Sequence, residues 1–322
     1  MSVVERVLVT GAAGFIGGHL CEQLASQGRH VVGVDNFDNF YSRDQKEGNV
    51  RRLRAAGAMF EEADIRFFDQ FSSCVDTVRP DAVVHLAGIG GVRNSLEFPR
   101  RYIETNFMGT QNVLDVCRNA GVEQLVIAST SSVYGHTAPV PFVETDSCAV
   151  PPHPYAASKR SAELVAGTYS SLYDMQITVF RLFTVYGPFG RPDMMPRLLL
   201  DSVSHGREIP LFEGDLARDW TYIDDVVAGL TLGVDTPLGF EIINLGRGSP
   251  QPVREFINQL EQVSGRSANL VSTPCPESEL RCTYASTDKL QRLLAFQPST
   301  SIADGVDALW DWWNMVESER VA

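Results

Sequence analysis

The chain is expected to be α/β: a doubly wound parallel sheet followed by a smaller mixed α/β domain. Three observations predict this. Short apolar runs recur at 3–10, 31–34, 82–87, 124–128 and 177–183, the mark of strands buried on both faces. Helical patterns separate these runs. A glycine-rich turn joins the first strand to the first helix, and an acid, Asp35, ends the second strand. A chain of 322 residues can bury one large core or two domains. Regular alternation weakens after residue 183 and loops lengthen. The first domain is therefore expected over 1–183 and the second over 184–322, with a strand near 240–245 returning to the first.

The turn reads Gly11-Ala12-Ala13-Gly14-Phe15-Ile16-Gly17 and opens a helix to about residue 27. Strand, glycine turn, helix, strand and acid together form the context of a Rossmann-type dinucleotide site. Gly11 permits the tight turn, Gly14 lets backbone approach a pyrophosphate, and Gly17 lets helix pack on strand. The helix N-terminus supplies free N–H groups and a positive dipole for the phosphates. Asp35 can accept hydrogen bonds from the adenosine ribose and would repel a 2′-phosphate, so NAD is expected rather than NADP. Phe15, Ile16 and Asn36 fall beside these contacts.

Further strand ends extend the site. Asp64-Ile65 follows a short third strand and reads either as a turn or as a cofactor contact. Leu86, Ala87 and Gly88 end the fourth strand, where ligands of open parallel sheets sit. Residues 90–95 read as a loop, in which Arg93 either faces an anion or is solvated. A single long helix is expected over 98–119 and contains Asn106. The fifth strand runs into Ser129-Thr130-Ser131-Ser132-Val133-Tyr134-Gly135, either a serine-rich turn or hydroxyls aimed at a reacting oxygen. A proline-punctuated loop then leads to Tyr155-Ala156-Ala157-Ser158-Lys159. On a helix these end residues share a face, and an ammonium beside a phenol favours the phenolate, which can accept a proton. Trp310, Trp312 and Trp313 read as packing.

Composition narrows the function classes. The formal net charge of −13 argues against nucleic acid as a partner. No apolar run is long enough to cross a bilayer, and no basic-then-apolar signal opens the chain. The six cysteines are scattered without a Cys-x-x-Cys pair, so reduced thiols and a cytoplasmic location are expected. The histidines are scattered too, and no metal site is expected.

Taken together, Gly11-x-x-Gly14-x-x-Gly17, Asp35, Asp64, Ser129–Gly135 and Tyr155-x-x-x-Lys159 in the first half resemble the extended short-chain dehydrogenases/reductases that act on nucleotide-linked sugars. Arg181-Leu-Phe-Thr-Val-Tyr-Gly-Pro and Arg218-Asp-Trp-Thr-Tyr-Ile-Asp-Asp carry the match through the second. Within that group the chain is most similar to UDP-glucuronate 4-epimerases, through Asp35-Asn36 with Tyr41, Gly91-Val92-Arg93-Asn94-Ser95, and Phe183-Thr184 through Arg191-Pro192-Asp193-Met194.

The resemblance implies a tightly bound, recycled NAD and a UDP-sugar substrate. It implies Tyr155 as base, Lys159 on the nicotinamide ribose lowering the tyrosine pKa, and Thr130 on the sugar's 4-oxygen. Asp64 would contact adenine. Homodimers through the two long helices are the family habit. Related dehydratases place Asp-Glu where Ser131 and Ser132 stand, and related decarboxylases a Glu at the second position. The serines therefore point to epimerisation. Arg191 is the candidate for a substrate carboxylate, since a guanidinium fork matches it. Arg218 and Arg281 are candidates for the UDP pyrophosphate, with Arg93 and Thr184 beside the sugar. Competing readings are epimerisation of neutral UDP-glucose/galactose, decarboxylation of UDP-glucuronate, and a non-catalytic NAD sensor.

Overall fold

A computed structural model describes residues 4–321. The chain begins β1 (Arg6–Thr10), α1 (Phe15–Ser26), β2 (His30–Asp35), α2 (Arg43–Ala55), β3 (Met59–Glu62), α3 (Phe68–Val78) and β4 (Ala82–His85). It continues α4 (Val92–Glu97), α5 (Pro99–Tyr102), a π-helical turn Ile103–Met108, α6 (Gly109–Ala120), β5 (Gln124–Thr130), a 3-10 turn Ser131–Tyr134, α7 (Pro154–Tyr173) and β6 (Gln176–Leu182). The second half holds β7 (Thr184–Tyr186), α8 (Met195–His205), β8 (Glu208–Phe212), β9 (Ala217–Arg218), β10 (Trp220–Tyr222), α9 (Ile223–Asp235) and β11 (Phe240–Leu245). It ends β12 (Gln251–Pro252), α10 (Val253–Ser264), β13 (Asn269–Thr273), α11 (Asp288–Leu294) and α12 (Ile302–Val321).

Seven strands form one sheet in the order β11-β6-β5-β4-β1-β2-β3. Every pairing in it is parallel. The order reverses between β1 and β4, so the strand ends there open a crevice. Apolar runs without alternation make sense in this setting, because helices cover both faces. The strand at 240–245 pairs with β6 as an edge of this sheet. α9 packs against α1, so the chain crosses back before 240. Three two-stranded pairs lie outside the sheet: β7 with β10, β8 with β13, and β9 with β12. No helix among the described residues is long and apolar enough to cross a membrane.

Three local expectations differ. The first strand starts at Arg6; residue 3 lies outside the described residues. Residues 92–97 are helical rather than loop. The single helix over 98–119 is divided, with the π turn at its centre. That wide turn carries Asn106, whose amide donates to the Ile89 carbonyl (2.9 Å) and the Ser158 hydroxyl (3.0 Å) and accepts from the Ile89 N–H (2.7 Å). Fixed side-chain bonds to the loop after β4, not periodicity, shape the helix here.

A buried ion pair ties the helix at 154–173 to the sheet. Glu163 and Arg181 expose 1% and 0%. Arg181 donates to both Glu163 carboxylate oxygens, at 3.0 and 2.8 Å. Ser129 (2.5 Å) and Arg160 (3.0 Å) donate to the same carboxylate. These bonds join β5, α7 and β6. Removing one partner strands a buried charge. Glu163→Ala is therefore expected to lose about 3–5 kcal/mol of unfolding free energy, and Glu163→Leu with Arg181→Met to lose clearly less. Urea denaturation of the three proteins checks this; equal losses for single and double variants would refute it.

Candidate active site

The loop between β1 and α1 is shaped by its lack of side chains. Gly11 has φ +75°, and a Cβ there would meet the Ala87 nitrogen at 2.7 Å. A Cβ on Gly17 would lie 2.2 Å from the Gly11 carbonyl oxygen. Both glycines are therefore obligatory: one for the turn and its approach to the β4 loop, the other for helix against turn. α1 starts after Gly14 with no side-chain cap, leaving its N–H groups facing the cleft as an anion cradle. Asp35 accepts from the Phe37 N–H (2.8 Å) and the Ala13 N–H (3.2 Å). Burial pushes its carboxyl up, opposed by Lys46 at 3.8 Å. Cradle, helix end and acid at the crevice fit a dinucleotide.

Gly11, Gly14, Phe15, Ile16, Gly17, Asp35, Asn36, Ile65, Leu86 and Ala87 line one cleft of about 720 Å³. That volume is in the upper part of the range of about 300–1,000 Å³ for small-molecule sites. Asp64 and Asn106 stand behind its wall. The Asp64 carboxylate is taken up by Arg66 (2.5 Å) and Asn36 (3.0 Å). Burial pushes that carboxyl up, but these bonds outweigh it and hold it below the usual range. Asn106 is committed to Ile89 and Ser158, so it shapes the loop rather than facing the cleft.

Thr130, Tyr155 and Lys159 meet at the floor of the same cleft. Thr130 ends β5 and Tyr155 lies in the first turn of α7. The fully parallel β5–α7–β6 packing brings them together. The Thr130 hydroxyl donates to the Ser132 hydroxyl at 3.2 Å. Burial pushes the Tyr155 pKa up, opposed by the neighbouring Thr130 hydroxyl and then by the Arg191 charge. The expected helper was Lys159; the groups that oppose burial here are Thr130 and Arg191. Lys159 is buried, exposing 6%, and burial pulls its pKa down to about 8, with the Glu163 charge opposing. Behind it His85 bonds the Thr10 and Thr110 hydroxyls at 2.8 and 2.9 Å. Burial, then the Lys159 charge, pulls its pKa down to about 3, so it stays neutral.

The remaining candidates divide. Arg93, Ser131, Ser132, Thr184, Arg191 and Arg218 line the cleft. Arg281 does not; it is exposed. Arg218 is held by Glu279 at 3.0 Å. Arg191 is forked onto Asp193, at 3.0 and 2.6 Å. Its guanidinium passes close over Gly90, where a Cβ would lie 2.4 Å from its Nη1. Arg93 stands over the Phe212 ring at 4.9 Å, bridging the loop after β4 and β8. Lys46 beside Asp35 was missed, since a buried lysine in a polar helix has no sequence signal. Phe212 was missed because it reaches the cleft through the pairing of β8 with β13 outside the main sheet, and Glu279 because it lies in a loop distant in sequence from the Arg218 it pairs with.

The sequence model of the NAD dependent epimerase/dehydratase family matches residues 7–246. The UDP-glucuronate 4-epimerase of Thermodesulfobacterium geofontis is 40% identical over 308 residues, covering 95% of each chain. The crystal structure of the UDP-glucuronic acid 4-epimerase from Bacillus cereus, in complex with UDP-glucuronic acid and NAD, is similar with a TM-score of 0.89. It is 34% identical over 96% of this chain and 99% of that one. The UDP-glucose 4-epimerase of Thermotoga maritima with UDP-glucose has the same TM-score at 27% identity, over 97% and 99%. A likeness that runs nearly end to end, on a fold whose strand ends gather a glycine cradle and a Thr–Tyr–Lys set, places this chain in the NAD dependent epimerase/dehydratase family.

Proposed function

We propose that this protein epimerises UDP-glucuronate at C4 to UDP-galacturonate, with NAD held in the cleft and recycled. One observation carries the reading. Thr130, Tyr155 and Lys159 converge on a cleft whose positions 131 and 132 are serines, with a guanidinium, Arg191, at the same floor. Bound NAD supplies a reversible hydride acceptor for C4. The chain supplies the rest. Tyr155 takes the C4 hydroxyl proton on its phenolate oxygen and later returns it. Thr130 donates its one hydroxyl proton to the reacting oxygen. Lys159, as an ammonium, holds the nicotinamide ribose and keeps positive charge beside the phenol. After the first proton leaves, the 4-keto sugar must present its other face to the same base. A carboxylate at 131 or 132 is missing for the competing elimination. Ser131, Ser132 and Arg191 would hold the C6 carboxylate.

The same reading gives residues 184–322, apart from the strand at 240–245, the binding of the UDP-sugar, with Arg218 toward the pyrophosphate. Homodimerisation is part of the proposal. α6 and α7 pack side by side, and Ile103, Met108, Leu164 and Leu172 are exposed on that run of helices. So is a cytoplasmic location, supported by six free cysteines. A second reading, epimerisation of a neutral UDP-hexose, is favoured by one observation: the Arg191 fork is already filled by Asp193.

Purified protein incubated with UDP-glucuronate is expected to give UDP-galacturonate by NMR, and to release NAD when denatured. Turnover of UDP-glucose alone would instead establish the neutral reading, and carbon dioxide release the decarboxylase one. Tyr155→Phe is expected to lower kcat by about 10²–10⁴-fold; unchanged turnover would remove Tyr155 as base. Activity is also expected to fall as pH rises through about 8, because Lys159 loses its ammonium there. A pH profile flat to about 10, where an exposed lysine would titrate, would contradict this.

A further inference from the structure

Two other aromatic rings that no role above explains lie beside the Tyr155 ring. His153 is parallel to it, with centroids 6.0 Å apart and planes 2° apart. Tyr102 stands edge-on, at 6.0 Å and 68°. Both are buried, exposing 6% and 1%.

His153 is the N-cap of α7. Its Nδ1 accepts from the Ala156 N–H at 3.2 Å, so that nitrogen carries no proton and the ring is neutral. Burial, then the neighbouring His136, pulls its pKa down to about 4, which keeps it so. A serine would cap the same N–H with a smaller side chain. Capping does not call for a ring, and the alignment with Tyr155 supplies a reason for one. Residues two apart within a helix do not face each other. His153 does face Tyr155 because its own backbone is extended, at φ −160° and ψ 164°, with Pro154 opening the helix behind it.

Tyr102 makes the other wall. Its hydroxyl proton is shared between the Gly90 and Gly91 carbonyls, at 2.9 and 3.0 Å. Burial pushes its pKa up to about 12, so it remains a neutral donor and does not compete as a base. It anchors the ring to the loop that Arg191 crosses.

We propose that His153 and Tyr102 are positioning residues that restrict the swing of the Tyr155 ring and so set the aim of its phenol at the substrate's C4 hydroxyl. This rests on Tyr155 being the base. Rotation about χ1 carries the phenol oxygen across the cleft, and a misplacement of about 1 Å can reduce a rate by about 10²-fold.

Steady-state kinetics on the NAD-loaded protein with UDP-glucuronate test it. His153→Ser keeps a cap and removes the wall; kcat is expected to fall about tenfold while KM stays within about twofold. Tyr102→Phe keeps the wall and cuts the loop bond, and is expected to retain more kcat than Tyr102→Leu. Should Tyr102→Leu fail to fold, His153→Ser decides alone. A kcat within about twofold of the parent in His153→Ser, or a loss confined to KM, would overturn the proposal. Equal kcat losses in the two Tyr102 variants would also overturn it. Tyr155→Phe run alongside separates the failures. If it stays active, the base assignment and this proposal fall together. If it is inactive while His153→Ser is normal, only the positioning role falls.

Discussion

The arrangement at the cleft floor depends on one buried carboxylate. Glu163 draws Arg181 from β6, Ser129 from β5 and Arg160 from its own helix onto two oxygens. Ser129 immediately precedes Thr130, and Lys159 lies one helical turn before Glu163. Fixing this carboxylate therefore fixes the strand end and the helix face that must meet. Arg181 also lies over the Tyr134 ring at 4.7 Å, and Tyr134 donates to Asn244 of β11 at 2.7 Å. The constraint thus reaches the sheet edge. Desolvating such charges is costly, and a hydrophobic replacement could give equal stability. What it could not give is the register of helix on strand together with a negative charge near Lys159.

A second buried carboxylate organises the other side. Asp219 exposes 0% and accepts from the N–H groups of Arg247, Gly248 and Ala285, at 2.8, 3.0 and 2.9 Å. It gathers loops far apart in the chain beside Arg218. Two buried acids thus tie together the elements on either side, one by side-chain charge and one by backbone hydrogen bonds. Between them the reacting groups are left with unusual protonation. Burial pulls the lysine pKa down to about 8, and the phenol is governed by the balance of burial against Thr130 and Arg191.

Much of this was legible in the chain. The glycine turn could be read because each glycine answers a steric demand that no other residue meets. The strands could be read because burial on both faces removes alternation. Tyr155 and Lys159 share a helix face by periodicity alone. The division of the 98–119 helix could not be read, because it follows from Asn106 bonding a loop distant in sequence. The setting of Arg281 was not legible either: the bridge of 282 to β9 places its backbone, and its side chain is exposed. The behaviour of Arg191 was half legible, since proximity to the site follows from the motif but its fork onto Asp193 does not.

By itself, then, the sequence determined the fold class and the glycine cradle, and it placed Tyr155 and Lys159 on one helix face. These rest on local rules: side-chain period, turn sterics, helix spacing and the chemistry of each residue type. Tertiary structure alone decided which groups surround the phenol. Tyr102, Thr130 and Arg191 come from separate elements, and their distances to Tyr155 depend on how those elements are seated around α7. That seating is set by packing and by a buried ion pair, whose energies belong to contacts between distant segments and leave no periodic trace in the chain.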